Sequence, residues 1–361
     1  MSNIYWNLAL TDMIRLNRPS LWGNWALNSV IEVGAIGYID PNSGDFTYFD
    51  TLQTKPIVRS DENSLWSMMS TNVTKSGGSA NIAGTYDPTT GTQVTVEATA
   101  TWSFSDSGEF ISKFQPAYKN LLQNRGNQIA SQMEQIKNVA KDNGYMSGDN
   151  ITQGFGVITE VIYAEAGMNV GAQTSGSSFS ITGSVDGIAG MTDSDQAKAS
   201  LKGSYFKDSS EGSFDTHIWP ASANEVATTN VPIAFVMSSF GPNNMIIPVW
   251  VNFISEFTIQ IDNQHGGTWV VDVTITGDTG GVVGKNLGGT KVSGGSSGTI
   301  SNIPLDVTNL TATVSFETGP TLKQVWATPL TQIPTGEMQI DIYGLAGGHA
   351  SIEPHIAPPN S

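Results

Sequence analysis

Four histidines, His217, His265, His349 and His355, are the only imidazoles in 361 residues. None stands in an HxxxH or HExxH spacing that would set two rings on one helical face around zinc. Asp193 and Asp195 resemble the opening of a calcium loop but lack its central Gly and closing Glu, which leaves a helix N-cap as the expected role. Glycine pairs such as Gly280-Gly281 and Gly288-Gly289 lie in polar stretches without the following helix that phosphate binding needs. No GxSxG elbow, Walker loop or dinucleotide fingerprint follows a predicted strand. Paired carboxylates for glycosidic chemistry carry no fixed spacing, and nothing points to them. These residue types point away from catalysis: the expectation is no enzyme, no cofactor and no metal. Trp250, Trp269 and Trp326 offer rings for stacking on a sugar or a lipid headgroup, or for core packing.

The positive signal is physical rather than catalytic. Val94, Val96, Ala98, Ala100, Trp102 and Phe104 alternate without error with Thr95, Glu97, Thr99, Thr101, Ser103 and Ser105. Such a strand has one apolar and one hydroxyl-rich face, the pattern of any half-buried antiparallel strand. Its polar face is mostly Thr and Ser, so it passes through a bilayer at low charge cost, and its length matches the roughly 9 to 11 residues of a tilted transmembrane strand.

A chain of this length has room for two domains of roughly 100 to 200 residues. Its 39 Gly, 13% charged residues and many Thr, Ser and Val suit strands and turns. A net charge of -16 disfavours nucleic acid and non-specific attraction to anionic lipid. Without cysteine there is no disulfide framework, thiol nucleophile, Cys-ligated metal or palmitoyl anchor. The start, MSNIYWNLALTDMIRLNRPS, lacks the basic and unbroken apolar segments of a secretory signal, and no apolar stretch reaches about 18 residues. The expectation is a protein made soluble, released, and acting on a target cell membrane.

The elements follow from periodicity and punctuation. A helix is predicted at Trp6 to Leu16, ended by Arg18-Pro19, then strands at Ser29 to Ile39 and Phe46 to Leu52 around the turn Asp40-Pro41-Asn42-Ser43-Gly44. A strand at Ser79 to Tyr86 pairs with the alternating run. Ile129, Met133, Ile136 and Ala140 recur at helical spacing, in a helical region that Pro116 opens and Gly144 stops. Strands resume at Gly154 to Val170, Gln173 to Val185, Ala199 to Lys207, Gly212 to Trp219 and Val231 to Ser238, and Phe240 to Asn244 marks a boundary. Six strands between Phe253 and Tyr343 predict an all-β sandwich, with a flexible tail after it. The divisions are 1–244, 245–350 and 351–361.

Gly156-Val157-Ile158-Thr159-Glu160-Val161-Ile162 resembles the Val-Thr-Glu-Val core of the strand that opens the second inserting hairpin of the gasdermins, and the order of features from Leu21 to Phe240 is similar to their pore-forming domain. The resemblance implies an α+β N-terminal domain, a twisted antiparallel sheet with helices, that oligomerises on a membrane and inserts hairpins Ser79 to Ser105 and Ile158 to Lys207 into a β-barrel pore. The apolar residues would be Val94, Val96, Ala98, Ala100, Trp102 and Phe104 in hairpin 1, and Val157, Ile158, Val161, Ile162, Leu201 and Tyr205 in hairpin 2. Two departures stand out: Arg15, Arg18, Lys113, Lys119 and Arg125 are scattered rather than patched, and the C-terminal domain reads as β instead of helical. The expected activity is that of a pore-forming toxin whose partners are its own copies and a membrane lipid or receptor, with the sandwich targeting or restraining it. The alternative is a non-lytic binding or structural protein: a lectin, adhesin or virion component.

Overall fold

The computed structural model describes residues 4–60, 65–81, 97–184, 206–211, 213–220, 230–254, 256–264, 269–317, 321–326, 330, 333, 336–344 and 350–355. Helix α1 (Trp6–Arg15) buries Trp6, Leu10 and Ile14, one residue per turn on one face, and stops before Arg18-Pro19 as predicted. Trp6 lies flat on the backbone of Gly171, where a Cβ would stand 2.5 Å from its ring. It also stacks on Trp25 with centroids 5.0 Å apart.

The helix covers part of a ten-stranded sheet. Its short strands are β1 (Trp22–Gly23), β2 (Ala35–Ile39), β3 (Phe46–Thr51), β4 (Ile57–Ser60) and β5 (Trp66–Met69). A hairpin arm, β6 (Thr74–Asn81), and its partner β7 (Glu97–Phe104) precede β8 (Phe110–Leu121). Helices α2 (Arg125–Ser131) and α3 (Met133–Asp142), then the small pair β9 (Met146–Ser147) and β10 (Asn150–Ile151), lead to the central strand β11 (Phe155–Ala172). After it come β12 (Ser177–Ser184), β13 (Phe206–Glu211), β14 (Phe214–Trp219), β15 (Val231–Phe240) and β16 (Ile246–Ile247). The large sheet runs β1-β15-β11-β2-β3, with β8 and β14 also on β11, β4 and β5 on β8, and β16 on β15. All ten residues of β15 and most of the eighteen of β11 are buried, which is why both read as near-continuous apolar or small runs.

Pro116 does not open a helix. It lies in β8 opposite Ala164, where register shifts on either side mark a bulge that tolerates its missing N–H. The helices begin instead after Asn124, whose φ is +51°. Their predicted face holds: Ile129, Ile136 and Ala140 are buried beside Phe155, Val157 and Ile158 of β11.

The C-terminal residues form two four-stranded sheets over one core. One sheet has the order β20 (Ser297–Ile303), β17 (Phe257–Asn263), β23 (Glu337–Gly344), β24 (Ala350–His355), with β17 and β23 parallel. The other runs β19 (Val282–Ser293), β18 (Val270–Thr279), β21 (Thr308–Phe316), β22 (Thr321–Trp326). Phe257, Ile259 and Ile261 meet Val271, Val273 and Val314 between them. Two strands of these C-terminal sheets were not predicted. The largely exposed β19 carries five glycines and lysines among its twelve residues, Gly284, Lys285, Gly288, Gly289 and Lys291, and so lacks an apolar period. The edge strand β24 contains Pro354 opposite Ile340, so residues 350–355 pair with β23 instead of opening a flexible tail.

Candidate membrane-inserting hairpins

Strands β6, β7, β12 and β13 form a separate antiparallel sheet in the order β13-β12-β7-β6. Each is joined by a short link to one strand of the large sheet: β6 to β5, β7 to β8, β12 to β11 and β13 to β14. The partners stand in the same order there, β14-β11-β8-β5. The small sheet is therefore the continuation of four strands of the large one, folded toward it across a crease at residues 70–73, 105–109, 173–176 and 213.

The crease is tied from strand to strand. The Gly108 amide donates to the Ala172 carbonyl (2.8 Å), that of Ala172 to Glu109 (2.9 Å), that of Gln173 to Ser213 (2.9 Å) and that of Phe110 to Ser70 Oγ (3.0 Å). Within the fold, Ala100, Trp102 and Phe104 of β7 and Phe179 and Ile181 of β12 are buried against Ile111 of β8 and Met168 and Val170 of β11. Phe214, from the large sheet, holds ring contacts with Phe104 (5.3 Å) and Phe179 (5.6 Å) of the small one. No residue of α1, α2 or α3 belongs to this cluster, so the helices that lie between the hairpins in sequence pack on the body instead.

The opposite face of the small sheet carries hydroxyls. Thr99 pairs with Thr182 (2.9 Å) and Thr101 with Ser180 (2.8 Å) across β7 and β12. Asn81 stands opposite Glu97, Glu97 opposite Ser184 and Gly183 opposite Phe206, so the described arms of both strand pairs end level with one another, at the same end of the sheet.

A buried cation sits beside the crease. Lys113 on β8 shares a strand face with Ile111 and is only 6% exposed. Burial, and secondarily the Lys75 charge on β6, push its pKa below the usual lysine value. Nearby on β14, His217 Nε2 lies 3.0 Å from Asp215 Oδ1, with the Trp25 ring edge-on to the imidazole. Among the described residues no group of three or more His, Cys, Asp or Glu is arranged to hold a metal.

The sequence-derived candidates separate into three groups. Ala100, Trp102 and Phe104 share the apolar face of β7, and Ala98 lies in the same strand. Val94, Val96, Leu201 and Tyr205 fall outside the described residues. Val157, Ile158, Val161 and Ile162 do not stand in a hairpin arm: they are buried in the body on β11, because that strand crosses the middle of the large sheet before reaching the crease. The arms of the second hairpin are β12 and β13, and Phe179 and Ile181, which the Gly/Ser-rich sequence around them disguised, supply its apolar face. Trp250 is fully buried, stacked on Trp22 at 5.2 Å, with its carbonyl accepting from Trp22 Nε1 (2.8 Å), and offers no surface to a ligand. Trp269 and Trp326 pack half-buried against the sandwich core.

No protein-family model matches the chain, and no curated protein matches it. Among solved structures, the chain aligns with wild-type pneumolysin at 12% identity over 94% of this chain and 87% of that one, with a TM-score of 0.25. A Gram-negative toxin aligns at 11% identity over 93% and 90%, TM-score 0.24. The membrane pore complex of pneumolysin aligns at 10% over 92% and 86%, TM-score 0.20. At such TM-scores these likenesses define no shared fold with this chain.

Proposed function

We propose that this protein is a pore former that opens its crease, straightens two β-hairpins and inserts them as a ring of copies into a target membrane. The observation that supports this reading is the matched order of four strands on either side of the crease. Unfolding about the crease joins β6 to β5, β7 to β8, β12 to β11 and β13 to β14 with no change of neighbours. It also frees the apolar face of Ala100, Trp102, Phe104, Phe179 and Ile181 for lipid and leaves Thr99, Thr101, Ser180 and Thr182 facing water. A lone hairpin in lipid leaves strand edges unpaired, so insertion requires closure. β6 and β13 are the edges of the small sheet, and pairing β13 of one copy with β6 of the next is a head-to-tail contact that builds rings.

In this reading the C-terminal sandwich docks the protein on a lipid or receptor, or restrains it. The docking unit starts after Trp250, since Ile246–Ile247 pairs with β15 and Trp250 belongs to the body. Release of a dye from vesicles of varied lipid composition and from cells, with imaging of the bound protein, tests the proposal. Leakage together with rings is the expected result, and binding without leakage on every target contradicts it.

One observation favours the non-lytic reading. On the outer face of β17, β23 and β24, Asp262, Asp341 and Glu353 stand in one cross-strand row. The Asp341 carboxylate accepts from Gln264 (3.3 Å), Gln339 (2.9 Å) and the Tyr343 hydroxyl (3.4 Å). Beside the largely buried Asp341, the exposed Glu353 and the Tyr343 ring give this face a polar surface with an aromatic, which suits a hydroxyl-rich ligand, as in a lectin or adhesin.

A further inference from the structure

The chain leaves the body at Trp250, which belongs to the body's core, and has reached the sandwich core by Ile254. Among the described residues no strand of the body pairs with a strand of the sandwich. Ile254 is 6% exposed and lies in no strand, so its peptide N–H and carbonyl are buried without a sheet ladder to join. Buried backbone groups need partners. One side chain supplies both. Gln153, between β10 and β11 of the body, accepts the Ile254 N–H at Oε1 (2.5 Å) and donates from Nε2 to the Ile254 carbonyl (2.8 Å). The same Oε1 accepts from Trp250 Nε1 (3.3 Å). Two donors on the oxygen and an acceptor on the nitrogen fix which way this amide points. Phe253 completes the contact: its ring meets that of Trp250 edge-on at 5.5 Å and lies over Gly154, where a Cβ would stand 3.2 Å away.

We propose that Gln153 is a clamp that fixes the orientation of the C-terminal sandwich on the body, and that its release lets the sandwich swing about the connector after Trp250. The Gln153 amide takes the place of the peptide group that a neighbouring strand would offer. Trp250 stays with the body on release, because its own N–H donates to the Met237 carbonyl (2.8 Å) and its carbonyl accepts from Trp22 Nε1 (2.8 Å). Met245 of the body also packs on the sandwich core, but an apolar contact has no direction of its own, so the hydrogen bonds set the angle. Without the amide, a buried donor and acceptor of Ile254 are left unpaired, and the connector relieves this by moving into water. Where the sandwich docks on a target, the clamp sets the angle at which the body stands over it. The inference holds for either reading of the function and is tested without a membrane.

Pulsed electron resonance between nitroxide labels on two introduced cysteines tests it in the full chain, which has no cysteine of its own. The label sites are the exposed positions of Lys141→Cys in α3 and Ser293→Cys at the end of β19. Gln153→Met keeps the length and bulk of the side chain but none of its hydrogen bonds, so a residue that only fills space leaves the distances unchanged. The expected result is one narrow distance with Gln153 in place and a distribution at least twofold broader in Gln153→Met. Equal widths overturn the proposal. Hydrogen exchange of the Ile254 amide in the unaltered chain needs no variant and decides the matter if Gln153→Met does not fold. Exchange at least tenfold slower than that of an unprotected amide is expected, and exchange at the unprotected rate overturns the clamp.

Discussion

Trp102 and Lys113 show opposite residue-level consequences of the same crease. The Trp102 ring is 1% exposed, centroid 6.4 Å from that of Phe179, and fills the space between the sheets. Trp102→Ala is expected to cost about 3–5 kcal/mol, read as a lowered denaturant midpoint. Lys113 disfavours the folded form, because its charged state is poorly solvated there. With its folded pKa below the unfolded value, the unfolded chain holds the extra proton between those two pH values. Stability therefore rises with pH across that window, by at most about 1.4 kcal/mol per pH unit. Lys113→Met is expected to be more stable than the parent at pH 7 and to lose this alkaline gain; equal slopes in denaturant titrations of the two proteins would refute the account. The sequence showed the Thr99 to Phe104 faces because alternation is local. It could not show that Trp250 is core, since its burial depends on Trp22, more than two hundred positions away.

At the scale of elements, legibility tracked period and punctuation. α1 and the face of α2 and α3 were readable because apolar residues recur within a few turns. Pro116 misled because a bulge opposite Ala164 removes the need for its N–H, and a bulge is a property of two strands. β19 and β24 went unread because edge strands need no continuous apolar face. The join of α1 to β11 makes its own prediction. Gly171→Val places a side chain where the Trp6 ring already lies, and is expected to cost about 1–3 kcal/mol and to weaken protection of α1 amides from hydrogen exchange. Unchanged exchange would mean that α1 does not rely on this contact.

For the whole molecule, the two-hairpin layout was visible as two strand pairs flanking helices, but the crease was not. Sequence order alone placed Val157 to Ile162 in an inserting arm, whereas the fold spends that stretch on the body and reaches the hairpin only after Ala172. The absence of cysteine makes the central claim directly measurable, since single cysteines introduced at positions 99–104 and 178–182 can each carry one environment-sensitive dye. On leaky vesicles a period of two is expected. Dyes at positions 100, 102, 104, 179 and 181 should be quenched from within the lipid, and dyes at 99, 101, 103, 178, 180 and 182 from the water. Water exposure or unchanged burial at every position while the vesicles leak would contradict it.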